Sequence, residues 1–219
     1  DTIQLGIGGM PDAVAENLRD RHDLGIYTEM IGSAMGELMK CGAVNNTRKT
    51  FFRNRTIGAF IWGNQDLYDY VNANPMIEIL PIMYVNDPVN IMKNDNMVSV
   101  NTALEIDLTG QVCSESIGTR QYSGPGGGFD FAYGAAHSNG GRSILIMHST
   151  TNKGQSKIKP ILTPGAVVTI PRPYVDIVVT EYGIARMRGA NIRERIEALI
   201  SIAHPDFRAE LRKEAEKII

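Results

Sequence analysis

The chain has 219 residues, of which 43% are hydrophobic and 21% charged, proportions that exclude a disordered tail or a fibrous repeat. Its 22 Lys and Arg against 24 Asp and Glu leave a net charge of −2, so no global field draws it to nucleic acid or to an anionic membrane. No apolar run reaches the ~18–20 residues of a membrane span, and the length suits a single domain over residues 1–219.

Cys41 and Cys113 cannot build a disulfide framework, and they read as two buried thiols in a reducing compartment. The first twenty positions carry Asp12, Glu16, Arg19 and Asp20, unlike a secretory leader, which points to the cytoplasm. The chain starts at Asp1, and Ile3-Gln4-Leu5-Gly6 already reads as a strand entering a glycine loop. An excised part of a longer polypeptide is the expectation.

Strand-length apolar runs alternate with helical periods. Ile3–Ile7 runs into Gly8-Gly9-Met10-Pro11, and Ala13–Leu18 reads as a helix with Pro11 near its first turn. Leu24–Tyr27 is a short strand ending in Thr28-Glu29-Met30, and residues 31–40 read as a helix. Ile57–Trp62 reads as one buried strand, Asn64–Val71 as amphipathic, and Met76–Leu80 and Val98–Asn101 as further strands. Leu104–Cys113 holds a hairpin-like turn at Asp107–Gln111. Ser143–Met147, Ala166–Ile170 and Val175–Thr180 are apolar strand candidates; helices over Ile192–Ile200 and from Pro205 to Lys217 close the chain. The alternation predicts an α/β fold with parallel and some antiparallel strands.

Three groups of residues bear on chemistry. Gly6-Ile7-Gly8-Gly9-Met10 lies at a strand–loop–helix junction, where bare backbone N–H groups can face an anion; a tight packing turn is the other reading. It is not the dinucleotide fingerprint, because the third glycine is misplaced. Ser123-Gly124-Pro125-Gly126-Gly127-Gly128 costs much chain entropy, which favours a loop that must touch a substrate with its main chain. The neighbouring Tyr122, Phe129, Phe131 and Tyr133 are expected to anchor it on both sides. Glu29 sits at a strand C-terminus, where open α/β sheets face their ligands and a carboxylate can serve as nucleophile or base. Glu181, after another apolar strand, shares that placement; for either, a solvated surface carboxylate is the alternative. The four histidines lack metal-ligand spacing, so no metal site is expected, and neither Gly-x-Ser-x-Gly nor a phosphate loop occurs. Lys153–Lys159 is a basic cluster that reads as an exposed loop.

In this order the motifs resemble the acetyl-CoA hydrolase/transferase family, in particular its 4-hydroxybutyrate and butyrate:acetate CoA-transferases. The resemblance rests on Leu5–Val14, Leu24–Met30, Asn101–Gln111, Tyr122–Phe131, Lys153–Ile158, Val179–Ala185 and Ala203–Arg208. It implies an open, mainly parallel three-layer α/β domain that forms the C-terminal half of a chain twice as long. It makes Glu29 a nucleophile that passes through an acyl anhydride to a glutamyl-CoA thioester, and Asn86 the residue that orients it. It places Gly6, Ile7, Gly8, Gly9 and Met10 along the CoA, and Gly124, Gly126, Gly127 and Gly128 as oxyanion and CoA contacts. Lys153 and Glu181 become secondary site residues. Acyl-CoA and a short-chain carboxylate are the implied substrates, with no permanent cofactor, a partner in the absent N-terminal half, and a homo-oligomer. Tyr27 stands where the family often has His, and Gly128 where it often has Gln. An acyl-CoA hydrolase, a non-catalytic CoA-binding fragment and, more remotely, a sugar-phosphate isomerase are the competing readings.

Overall fold

The computed structural model describes all 219 residues, which fall into two compact units, Asp1–Asn101 with Asp130–Arg142 and Thr102–Phe129 with Ser143–Ile219. No helix is long and apolar enough to cross a membrane.

In the first unit the order is β1 (Thr2–Leu5), α1 (Gly9–Glu16), β2 (Gly25–Ile26), β3 (Met30–Gly32), α2 (Ser33–Lys40), β4 (Thr56–Gly58) and β5 (Phe60–Trp62). It continues through α3 (Gln65–Val71), β6 (Ile77–Ile79), α4 (Ile82–Val85), α5 (Pro88–Ile91), β7 (Met97–Thr102) and α6 (Gly128–His137). Strand β1 lies between β2 and β7, parallel to both, with Ile3 opposite Ile26 and Val98. All four β1 residues are buried, as expected of a strand covered on both faces. Its one amide, Gln4, exchanges two hydrogen bonds with the Asn101 side chain, at 3.0 and 3.1 Å. Two further parallel pairs, β3–β5 and β4–β6, follow. Tyr27, Ile57, Val85, Ile91, Met97, Phe131 and Ala135 form a core cluster, the Tyr27 ring lying 6.3 Å from that of Phe131.

In the second unit β8 (Glu105–Asp107), β9 (Val112–Cys113), β10 (Ser116–Ile117) and β11 (Arg120–Gln121) come first. Then follow β12 (Arg142–Ile146), β13 (Ile158–Lys159), β14 (Ile177–Thr180), β15 (Gly183–Arg186), α7 (Ile192–Ser201) and α8 (Pro205–Ala215). β14 pairs parallel with β12 and antiparallel with β15; β8 pairs antiparallel with β9 and parallel with β13. The Asp107 carboxylate closes the predicted hairpin by accepting from the N–H groups of Thr109 and Gln111. A capping box between Asn191 and Glu194 starts α7, and Pro205 in the first turn starts α8. Helices alternate with strands in both units, the strand pairs being parallel in the first and mixed parallel and antiparallel in the second, the α/β fold that the alternation predicts.

Four expectations change. Residues 31–40 are not all helix: β3 precedes α2. Ile57–Trp62 breaks at Ala59 into β4 and β5, and Phe60 and Trp62 are 37% and 61% exposed. Ala166–Ile170 is not a strand. Its N–H groups are taken by the Ser116 hydroxyl and, from both Thr169 and Ile170, by the Val112 carbonyl, so no ladder can extend. Both cysteines are free, but only Cys113 is buried, Cys41 lying exposed after α2.

Gly134 lets α6 lie against α5: a Cβ there would stand 2.4 Å from Ile91 Cγ2. Gly→Ala inside a helix ordinarily gains up to ~1 kcal/mol. Here Gly134→Ala is expected to lose about 1–3 kcal/mol by overpacking. A denaturant midpoint equal to or above that of the native chain would contradict the close approach.

Candidate active site

Glu29 lies where the chain changes partners. Tyr27 N–H bonds to Ile3 on β1 at 3.2 Å, and Thr28 N–H, on the opposite edge, bonds to Ile57 of β4 at 3.0 Å. The Glu29 carbonyl then accepts from both Ala59 (2.7 Å) and Phe60 (3.1 Å), which also explains the break between β4 and β5. The half-buried Glu29 is thus held by its backbone at the C-terminal end of parallel strands, as its position after an apolar run suggested.

The glycine loop after β1 emerges beside it. Extending the register from Ile3 opposite Ile26 brings Gly6 level with Glu29. Leu5, Gly6, Asp12, Met30, Gly32 and Met35 line one small notch there. At Gly6 the packing reading holds: a Cβ would lie 2.7 Å from Asn101 Oδ1. At Gly8 and Gly9 it does not, because a Cβ would meet nothing within 4 Å. Gly8 needs its glycine for φ 126°, whereas Gly9 opens α1 on exposed backbone with neither requirement. Ile7 is 54% exposed and Met10 half-buried.

Three further groups of this unit belong near Glu29. Tyr27, fully buried, directs its hydroxyl to the Tyr84 carbonyl at 3.4 Å, tying β2 to the α4–α5 turn that carries Asn86 and Asp87. Burial, with Tyr84 and Asp87 nearby, raises the Tyr27 phenol above its ordinary range and keeps it neutral. Asn86 Oδ1 is buried and takes no hydrogen bond, an uncommon condition for a native amide. Asp87 caps α5 through Val89 N–H at 2.9 Å. Asp130, in the first turn of α6, has its carboxyl pKa raised by burial and then by the charges of Glu29 and Asp87. Asp130 was not singled out from sequence; its place in the Phe-Asp-Phe of the glycine motif was the available signal.

Sequence reasoning also missed Lys49 and Asn46, which sit in a polar run that reads as an exposed loop. Both are buried, at 2% and 3% exposure. Lys49 has no carboxylate partner; its Nζ donates to the carbonyls of Ile26 and Arg55, each at 2.7 Å, and lies 5.7 Å from the Tyr27 ring centre. Burial pulls its pKa down to about 7.

In the second unit, Gly124, Pro125 and Gly126 are exposed, Gly127 is buried and Gly128 starts α6. A Cβ at Gly124, Gly126 or Gly128 would meet nothing within 4 Å, and only Gly126 among them has a positive φ, 55°. Local packing therefore does not call for Gly124 or Gly128. The loop's near end is fixed by Tyr122 and Ser123 N–H groups on the Glu115 carbonyl, at 2.8 and 3.3 Å, and its far end by Phe129 edge-on to Tyr174. The aromatic anchoring is one-sided: the Tyr122 ring is 59% exposed, under the Arg120 guanidinium. Lys153 extends from an exposed turn, as the loop reading held. Glu181 occupies the β14–β15 turn and accepts from Ser149 N–H (2.8 Å) and Oγ (2.7 Å). Burial opposes its charge, but the Ser149 bonds, its own backbone N–H and the charge of His148 together hold its pKa below the usual carboxylate range. This ties its carboxylate to the loop after β12.

The C-terminal domain model of acetyl-CoA hydrolase/transferase matches residues 63–215. The chain belongs to the acetyl-CoA hydrolase/transferase family. A 4-hydroxybutyrate coenzyme A transferase of Clostridium kluyveri is 51% identical over 217 residues, 99% of this chain and 51% of that protein. The crystal structure of RipA from Yersinia pestis superposes with a TM-score of 0.94 at 44% identity, covering 99% of this chain and 49% of that one. A 4-hydroxybutyrate CoA-transferase of Porphyromonas gingivalis gives 0.86 at 45% identity, over 100% of this chain and 52% of the other. The chain thus spans about half the length of the relatives it matches. Glu29 precedes the segment matched by the domain model but lies inside the whole-length similarity of this family.

The folded state binds the Asp130 proton more tightly than the unfolded chain does. Its contribution to stability is therefore complete below an unfolded pKa of about 3.9 and is lost as pH rises through the folded value. Asp130→Asn is expected to raise the thermal unfolding midpoint at neutral pH and to give no gain near pH 3. The same shift at both pH values would remove charge crowding as its cause.

Proposed function

We infer that this chain is the nucleophile-bearing half of a CoA-transferase that exchanges CoA between an acyl-CoA and a short-chain carboxylate. The placement of Glu29 carries the reading: a carboxylate whose peptide is hydrogen-bonded twice, beside an exposed glycine loop at the ends of parallel strands. The Glu29 carboxylate attacks the thioester carbonyl, the tetrahedral adduct expels CoA thiolate, and an acyl-glutamyl anhydride remains. The thiolate attacks the glutamyl carbonyl of that anhydride and releases the first carboxylate, leaving a glutamyl-CoA thioester. The acceptor carboxylate repeats both steps in reverse, which regenerates Glu29 and requires no net proton transfer. Each adduct needs donors for its oxygen, and main-chain N–H groups of the Gly124–Gly128 loop are the proposed source. The unsatisfied Asn86 oxygen supports a polar partner outside the chain's own hydrogen bonding. Lys153 is assigned to the anionic parts of CoA, and Glu181 to holding the Ser149 loop rather than to covalent chemistry.

The other half of the polypeptide is the proposed partner. The first unit displays Trp62, Ile79, Ile82, Met83 and Val89 at 61%, 45%, 48%, 88% and 56% exposure, apolar side chains that such a partner would cover. On this reading the 219-residue chain alone has little or no turnover.

In the full-length protein, acyl-CoA followed by borohydride is expected to reduce the thioester and label the peptide carrying Glu29. Glu29→Gln should abolish the label and lower kcat by roughly 1,000-fold or more. A label on another peptide, or wild-type turnover in Glu29→Gln, overturns the assignment. CoA release that is as fast without an acceptor carboxylate as with one identifies a hydrolase instead.

A further inference from the structure

Strand β2 is short, and its side away from β1 is closed by three different devices in turn. Leu24 is met by main chain, its N–H bonding to Ala43 and its carbonyl accepting from Asn45 and Asn46. Thr28 N–H is met by Ile57 of β4. Between them Ile26 has no strand beside it. Its N–H donates to Asn46 Oδ1 at 2.9 Å and its carbonyl accepts from Lys49 Nζ at 2.7 Å. The Lys49 stem crosses the strand at Gly25, where a Cβ would stand 2.4 Å from its Cγ and 2.7 Å from its Cδ. The same amino group reaches the Arg55 carbonyl just before β4 and faces the Tyr27 ring.

We propose that Lys49 is a positioning residue for Glu29, clamping Gly25, Ile26 and Tyr27 to the start of β4 so that the carboxylate keeps its aim. This one side chain packs on Gly25, bonds to Ile26 and faces the Tyr27 ring, two residues before Glu29, and β4 leads directly to the Ala59 and Phe60 N–H groups that hold the Glu29 carbonyl. A surface lysine would gain nothing from this placement. A buried one without a carboxylate partner costs stability. Its structural return is two main-chain carbonyls satisfied at once, which either an amine or an ammonium can provide, since both carry at least two N–H bonds. Lys49 touches no surface open to substrate, so its loss should be felt in the chemical step rather than in acyl-CoA binding. The role rests on the Glu29 chemistry proposed above.

The test uses the full-length protein and single-turnover formation of the borohydride-trapped thioester. Lys49→Met keeps the stem and removes the donors. It is expected to lower the trapping rate and kcat by roughly 10- to 100-fold, as a misaimed nucleophile does, while KM for acyl-CoA stays within about twofold. Gly25→Ala, which displaces the stem but leaves the amino group, should give the same split, and it decides the matter should Lys49→Met fail to fold. Wild-type labelling at Glu29 with unchanged trapping rates in the variants overturns the Lys49 role alone, as does a loss confined to KM. Absence of label at Glu29 in the wild type overturns both assignments.

Discussion

Every peptide group buried in a protein needs a partner, and the last residues of β2 meet that demand on both sides with different partners at each step. On the inner side β1 supplies them. On the outer side the sequence runs through loop backbone, two side chains, the end of β4 and finally the start of β5. The position of Glu29 follows from this succession. Its carbonyl is shared by the amides of Ala59 and Phe60, and the pairing with β1 is not continued past it. The chain turns there, and the side chain at the turn is a carboxylate next to Met30, which lines the same notch as Gly6 and Asp12.

The two glycine loops look alike in sequence and differ in physical origin within themselves. Gly6 is dictated by the Asn101 amide pressed against it, and Gly8 and Gly126 by backbone angles. Gly9, Gly124 and Gly128 answer to neither constraint. Glycine at such positions lowers stability by widening the unfolded ensemble. Its retention is understandable where something outside the chain must come close to the backbone. The loops therefore divide into residues the fold needs and residues the fold merely tolerates, and the second class carries the suggestion of a ligand.

Much of this was legible in the residues. The strand–glycine–helix unit at the start, the Asp107 turn, and the capped helices α7 and α8 announce themselves through local chemistry that tertiary contacts do not override. Glu29 was legible as a strand-end carboxylate. Lys49 was not, because a lysine among Asn45, Asn46, Thr47 and Arg48 carries every mark of a solvated loop; only the gap beside Ile26 explains its burial. The break at Ala59 was hidden for a similar reason. Six apolar residues in a row suggest one buried strand, whereas the shared Glu29 carbonyl divides them. Ala166–Ile170 shows the converse: apolar composition with a single bridge, at Ile170 to Val112, makes no strand. Asp130 could be placed in a motif, but its crowding by Glu29 and Asp87 depends on where α6 comes to rest.

Strand β5 serves two purposes at once. At its beginning, the N–H groups of Ala59 and Phe60 grip the peptide of Glu29. Further along, Phe60 and Trp62 turn their rings outward. A change made to that exposed surface therefore falls on the same three-residue strand whose first N–H holds the Glu29 carbonyl.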